Sequence, residues 1–302
     1  MKWSPAFIGI GAEKSATTWA WTVLNEHPDV CMSQPKELNY FNVDDNFERG
    51  VGWYRRHFAM DIRCTGEISP LYMDDHRVAG RIRETFPEAR LLVMLRNPFD
   101  RAISHLFHDA SVIHGTVAEL TAADLQKLAG RDDKYLRRSC YASSLRPFFD
   151  LFPPEQIGVF YFDQVSLDGL SLARRLYEFV SVDSDFVPAQ FNEKVNESRD
   201  LRSVGLARAM ISASRAARSF PPTRVALNWI YRRTQLRESV IRWLLVDKGR
   251  PGITFDQVFT EEATVRLQQD LRELEQLIPD VLPTSWQPTS TPSLNTTAPA
   301  AA

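Results

Sequence analysis

Apolar residues along the chain fall into two kinds of run. Short continuous stretches, Ala6 to Ile10, Leu91 to Leu95 and Ile157 to Phe162, have strand length, and with no polar alternation they predict strands buried on both faces of a parallel sheet. Between them, apolar positions recur at helical spacing from Thr17 to Leu24, at Leu145, Phe148 and Phe149, from Leu170 to Val180, and at Leu267, Leu271, Leu274 and Ile278. A shorter strand over Gly66 to Ile68 runs into a helix start near Pro70. Strands that alternate with helices predict an α/β class, with a central parallel sheet flanked by helices and further helices added to it.

The first strand leads into Gly11-Ala12-Glu13-Lys14-Ser15-Ala16-Thr17-Thr18-Trp19. A strand, a tight loop and a helix start leave backbone N–H groups pointing outward with the helix dipole behind them, and Lys14, Ser15, Thr17 and Thr18 add a charge and hydroxyls. Such a loop cradles a phosphate or sulfate; the plainer reading is a Ser/Thr-capped helix of an α/β domain. The P-loop pattern needs Gly where Glu13 stands, and the dinucleotide pattern that starts at Gly9 and Gly11 needs Gly where Lys14 stands.

Leu95 is followed by Arg96-Asn97-Pro98-Phe99-Asp100-Arg101-Ala102-Ile103-Ser104. Pro98 ends the strand, and Asp100 is the expected cap of the helix that continues through His105 and Phe107. An arginine can fork two phosphate oxygens and a serine hydroxyl can complete the shell. His105, His108 and Asp109 share a helical face, but their spacing matches no zinc motif, and no metal is expected.

The full chain of 302 residues has 44% hydrophobic composition, enough for a sizeable core, and reads as one domain over 1–286 with a disordered Thr, Ser, Pro and Ala-rich tail over 287–302. A formal net charge of −2 argues against a nucleic-acid binder. Cys31, Cys64 and Cys140 have neither zinc nor disulfide spacing, no long apolar core follows Met1, and no run reaches membrane-spanning length. A cytoplasmic location is the expectation. Between Leu201 and Arg242 lie nine arginines, no lysine and one acid, Glu238, a solvated helix surface or a basic face for an anionic acceptor or a membrane surface.

Lys14-Ser15-Ala16-Thr17-Thr18-Trp19 resembles the P-K-[ST]-G-T-T loop of sulfotransferases that use 3′-phosphoadenosine 5′-phosphosulfate, with Glu13 at the usual Pro and Ala16 at the usual Gly. Ala16 therefore stands where the family's backbone approaches closely, and positive φ is costly for Ala. Leu95 to Ser104 is similar to L-R-[ND]-P-x-[DE]-R-x-x-S, and Lys36-Glu37-Leu38-Asn39-Tyr40-Phe41 followed by Gly50 to Tyr54 is similar to the K-E-x-x-[FY]-F and G-x-x-W-Y segments of the heparan sulfate branch. Glu67, Ser69, Pro70 and Tyr72 match E-K-[TS]-P-x-Y, but Ile68 replaces its lysine.

The resemblance implies a P-loop-like three-layer fold and sulfuryl transfer to a hydroxyl or amine of a carbohydrate, lipid or secondary-metabolite acceptor. It implies the nucleotide donor as co-substrate, 3′-phosphoadenosine 5′-phosphate as product, and no metal. It assigns Glu37 as base and Lys14 to the leaving phosphate, Lys14, Ser15, Ala16, Thr17, Thr18 and Trp19 to the phosphosulfate, and Arg96 with Ser104 to the 3′-phosphate. Tyr141 matches a tyrosine beside the adenosine, or else is a core tyrosine. Lys248, Gly249 and Arg250 match a loop over the nucleotide's 3′ end. Lys36 and Glu37 also read as a solvated turn pair. With Ile68 in place of the lysine, the resemblance implies an acceptor pocket less polar at that point, and so an uncharged or amphipathic acceptor such as a glycolipid. Two other classes stay open, a P-loop-type small-molecule kinase and a non-catalytic nucleotide-binding module. The first should carry Gly before Lys14, and the second should lack Glu37 or Lys14.

Overall fold

The structure is a computed structural model that describes residues 3–59, 64–114, 117–192 and 251–286, together with the backbone of 200–201 and 245–246. Five strands form one parallel sheet: β1 (Phe7–Gly11), β2 (Val30–Met32), β3 (Cys64–Ile68), β4 (Arg90–Leu95) and β5 (Ile157–Tyr161), in the order β2-β3-β1-β4-β5. β1 lies at the centre, and all five of its residues are buried. Two further strands, β6 (Asp200–Leu201) and β7 (Leu245–Val246), pair antiparallel.

Helices cover both faces. On one side, α1 (Thr17–Glu26) packs with the long helix that follows β5, Phe162–Val180, through Trp19, Val23, Leu172, Leu176 and Tyr177. The Tyr177 hydroxyl donates to the Val23 carbonyl at 2.9 Å and fixes the pair's register. This long helix kinks at Asp168, whose carboxylate accepts from Ser171 N and Oγ at 3.0 and 2.6 Å, so its second half is capped afresh two residues before the Leu170 start read from periodicity. After β2 come the short α2 (Asp44–Phe47) and α3 (Gly50–Arg55).

On the other face lie α4 (Arg77–Thr85), α8 (Tyr141–Leu151) and the helix Glu261–Leu277, here α10, the long helix after β5 being α9. Beyond the sheet edge, α5 (Pro98–His114), α6 (Ala122–Ala129) and α7 (Lys134–Arg137) enclose a smaller apolar cluster with residues 253–267. The helical additions expected from sequence are this lobe and α10.

Glycines in the central strands make room for neighbours. A Cβ on Gly66 would stand 2.2 Å from Phe7 Cζ, and one on Gly9 would stand 2.5 Å from Ile68 Cγ1. Gly66 pairs with Phe7 and Gly9 with Ile68 across β1 and β3, so each large side chain lies over the glycine opposite. Full burial of a phenylalanine or isoleucine contributes about 1.5–3 kcal/mol.

Two expectations change here. Asp100 is in the first turn of α5 but does not cap it: Asn97 Oδ1 accepts from Phe99 N at 3.0 Å, and the Asn97 carbonyl receives the first helical bond from Arg101 N at 2.8 Å. Pro98 lacks an N–H and suits the first helical position, which leaves Asn97 as the cap. Ile68 is fully buried in the cluster with Phe7 and Trp19, so it lines no acceptor pocket, and the inference of a less polar pocket at that point does not hold.

Candidate functional site

In a sheet of this order the chain leaves β1 toward β2 on one side and reaches β4 on the other, and ligands bind in the crevice beyond the carboxyl ends of the strands at such a switch point. The loop 12–16 follows β1 and Arg96 follows β4, so both anion-binding motifs read from sequence open onto the crevice.

Lys14 and Ala16 both take left-handed backbone, with φ of 70° and 62°. Ala16 is the N-cap of α1, contributes no side-chain cap, and the first turn carries no acid. The leading amides of the helix therefore keep the dipole's positive end free for an anion. Alanine has adopted the conformation that the family's glycine takes more cheaply. Ser15 Oγ, buried beside the Tyr141 hydroxyl, makes no well-formed hydrogen bond of its own, and Arg96 Nε is likewise buried without a partner among the described residues. Orphaned polar groups at the ends of β1 and β4 fit an anionic ligand that satisfies them. Burial lowers the Lys14 ammonium from its ordinary pKa, and Glu13, Asp109 and Glu37 oppose that shift. Lys14 Nζ makes no ion pair among the described residues.

Arg96 lies with its guanidinium carbon 4.4 Å from the centroid of the Phe162 ring. Its carbonyl accepts from the Tyr141 hydroxyl at 2.8 Å. Ser104 is nearly buried on α5. Tyr141 is fully buried, and its hydroxyl holds the backbone beneath Arg96. It is itself placed by Asp270 of α10, whose carboxylate accepts from Ala142 N and Ser143 N at 3.0 and 3.3 Å and caps α8 from outside. Trp19 also points inward, donating from Nε1 to the Phe191 carbonyl at 3.1 Å, so only its backbone is available to the loop. Thr17 is buried and Thr18 half-buried at the start of α1. Lys248, Gly249 and Arg250, the arginines of 202–242 and the tail from 287 lie outside the described residues.

Glu37 has φ of 63° and an exposed carboxylate that pairs with Lys36 Nζ at 2.6 Å. The turn pair read from sequence is present, and the same carboxylate is near enough to Lys14 to act on its charge. Glu37 and the loop lysine thus lie within electrostatic reach of each other across 23 positions, 37 minus 14.

Several residues here escaped the sequence reading. Arg138 donates to Glu13 Oε2 at 2.7 Å and sets Nε 2.7 Å from Asp74 Oδ2, tying the anion loop to the turn after β3. Arg101 is fully buried and donates to Ser139 Oγ at 2.7 Å, and its Nη1 lies 3.4 Å from His105 Nδ1. That contact makes Nδ1 the acceptor and puts the His105 proton on Nε2, which faces Glu13 at 3.5 Å. His105 and Asp109 thus have structural partners, the latter in Lys134 at 2.7 Å and the Tyr135 hydroxyl at 2.8 Å. The shared helical face of His105 and Asp109 and the unusual Glu13 hinted at this cluster, but nothing in sequence pointed to Arg138. A cleft of about 430 Å³ borders Arg138 and is lined also by Asn42, Leu71, Asp74, Arg77 and Arg137.

Fold and site together define an α/β protein with an anion loop after its first strand and a cationic strand end beside it. The Sulfotransferase family model matches residues 69–185. Over 206 residues it is 28% identical to heparan sulfate glucosamine 3-O-sulfotransferase 5 of Mus musculus, covering 65% of this chain and 58% of the relative. It is 34% identical over 105 residues to membrane-associated sulfotransferase kil1 of Dictyostelium discoideum, covering 33% and 22%. The chain thus spans less than two thirds of the length of these relatives. A sulfotransferase structure from Alicyclobacillus acidocaldarius superposes with a TM-score of 0.62 at 21% identity, over 94% of this chain and 99% of the other. No described helix is long and apolar enough to cross a membrane.

Proposed function

We propose that this chain transfers a sulfuryl group from 3′-phosphoadenosine 5′-phosphosulfate to an acceptor hydroxyl or amine. The observation that carries the reading is the left-handed turn at Lys14 and Ala16 in front of an uncapped helix, beside an arginine at the end of the next strand. The loop residues 14–18 would hold the phosphosulfate, and Arg96 with Ser104 the 3′-phosphate. The donor supplies the sulfuryl group, and the residues do the rest by position and charge. Lys14 donates to the phosphate oxygen on which charge grows as the bond to sulfur breaks, and the first amides of α1 act in the same direction. Glu37 takes the acceptor's proton. A kinase would require Gly where Glu13 stands, and Glu13 is instead bonded to Arg138.

The acceptor we assign is a polyhydroxylated one, a glycan or the sugar of a glycolipid. The open depression beside Arg138 carries Asn42, Asp74, Asp75, His76, Arg77 and Arg137 along with Leu71, side chains that can hydrogen-bond hydroxyls. Heparan sulfate glucosamine 3-O-sulfotransferase 5, to which the chain is similar, is named for a glycan of that class.

Calorimetry tests the donor site. The 3′-phosphoadenosine 5′-phosphate should bind about 10- to 100-fold more tightly than adenosine 5′-phosphate, because a hydrogen bond to a charged group is worth about 1.5–3 kcal/mol. Arg96→Ala should abolish the difference. Equal affinity for the two nucleotides in the unmodified protein would refute the assignment. Glu37→Gln should reduce turnover by roughly 10²–10⁴-fold with donor affinity unchanged.

A further inference from the structure

Beneath the loop that carries Glu37 lies a carboxylate with no part in the chemistry just described. Glu67, on β3, is fully buried. It accepts from the Tyr72 hydroxyl at 2.7 Å and from Ser69 Oγ at 2.8 Å. Each of those hydroxyls in turn accepts a backbone N–H from the loop: Tyr40 N reaches the Tyr72 oxygen at 2.8 Å, and Asn39 N reaches Ser69 Oγ at 3.1 Å. Glu67 makes no ion pair among the described residues.

We infer that Glu67 is a positioning residue for Glu37, acting through Ser69 and Tyr72 on the backbone of residues 39 and 40. The inference rests on the proposed reading of Glu37 as the base.

The direction of the relay follows from donor chemistry. The loop amides donate to both hydroxyl oxygens, which leaves each hydroxyl proton to point at Glu67 and makes the carboxyl the acceptor that fixes their orientation. Both hydroxyls are buried, so bonds to Glu67 have no water to compete with them and hold that orientation. The loop needs such a hold. Glu37 and Asn39 both adopt left-handed backbone, with φ of 63° and 51°, conformations that cost an ordinary residue about 1–2 kcal/mol each. Buried Leu38, Tyr40 and Phe41 anchor the segment on the core side, while Asn46 Nδ2 donates to the Leu38 carbonyl at 3.2 Å. Apolar burial alone leaves the backbone free to turn about those anchors. The two amide bonds select the one turn that projects Glu37 outward toward Lys14. Burial pushes the Glu67 carboxyl up, and bonds from Tyr72, Ser69 and Tyr54 and from the Leu38 backbone N–H oppose that shift only in part.

The test compares Glu67→Gln, Tyr72→Phe, Ser69→Ala and Glu37→Gln in the full-length protein, and combines each of the first three, the relay variants, with Glu37→Gln. Tyr72→Phe conserves volume, and Ser69→Ala supplies an independent removal should the first fold poorly. Three quantities are read: amide hydrogen exchange over residues 38–41, kcat, and affinity for 3′-phosphoadenosine 5′-phosphate. Each relay variant should exchange about tenfold or more faster at Asn39 or Tyr40 and lose roughly 10- to 100-fold in kcat, the scale of a small misplacement of a reacting group. Nucleotide affinity should stay within about threefold. In the Glu37→Gln background no relay variant should reduce kcat further, because the group being positioned is already gone. Unchanged exchange and kcat would overturn the inference. So would losses that multiply in the combined variants, or nucleotide affinity that falls in step with kcat, since both mark a general loosening of the fold. Wild-type turnover in Glu37→Gln alone would refute the base instead, and the exchange rates would still decide whether Glu67 holds the loop.

Discussion

Replacing Ala16 by glycine should stabilise this protein, although alanine to glycine at a helix end ordinarily does the opposite. Ala16 has φ of 62° and ψ of 24°, in the left-handed region. There Cβ crowds the following carbonyl at a cost of about 1–2 kcal/mol, which glycine escapes. Glycine also widens the unfolded ensemble, a loss of about 0.4–1 kcal/mol. The difference is a net gain of about 0.5–1 kcal/mol. Urea unfolding should report a higher midpoint with an unchanged slope, and thermal unfolding a rise of about 1–3 °C. Ala20→Gly is the internal control: Ala20 is fully buried within α1, so glycine there should destabilise by about 1 kcal/mol or more. The backbone of the loop keeps its shape in Ala16→Gly, so nucleotide affinity should change less than about threefold. If Ala16→Gly loses about 1 kcal/mol, as Ala20→Gly should, residue 16 is not left-handed and the cradle drawn from it is wrong.

Three other perturbations test neighbouring parts of the argument. Gly66→Ala would drive a methyl to 2.2 Å from the buried Phe7 ring and should destabilise by about 1–3 kcal/mol, with partial rescue by Phe7→Leu in the same unfolding assay; an unaffected midpoint would contradict the packing. Burial and the Arg101 charge hold His105 well below its ordinary pKa of about 6.5. The unfolded chain therefore binds a proton that the folded one refuses, and stability present above pH 6.5 is lost as pH falls, by up to about 1.4 kcal/mol per pH unit from this group. His105→Gln should flatten that acid decline, and an unchanged slope between pH 6.5 and 4 would refute it. Glu13 is first among the groups that oppose the lowering of Lys14, so Glu13→Gln should move the alkaline limb of the activity profile to lower pH, whereas a limb that stays in place would separate Lys14 from that limb.

Much of the fold was legible in one dimension because strands buried on both faces and amphipathic helices record their surroundings in their own composition. The run Leu91 to Leu95 became β4 almost to the residue, and the spacing of Leu267, Leu271 and Leu274 became the buried stripe of α10. The anion loop and Arg96 were legible for a related reason: a phosphate-binding turn is made by consecutive residues, so its parts must be contiguous in the chain.

Groups that act across the fold left no such trace. Period-two alternation put Glu67 and Ile68 on opposite faces of β3, but only the packed layers decided which faced the Tyr72 hydroxyl and which faced Trp19. Tyr141 was placed by a carboxylate 129 positions away, 270 minus 141, which caps its helix. Glu13 broke the family pattern in sequence, and its partner Arg138 stands 125 residues further on. Long-range hydrogen bonds and ion pairs depend on where elements dock, and docking is set by the whole core. The sequence alone determined four of the five sheet strands, the helices that flank them with long apolar stripes and the two motifs suited to an anion; the tertiary structure decided the short elements between them and which buried polar groups hold those motifs in place.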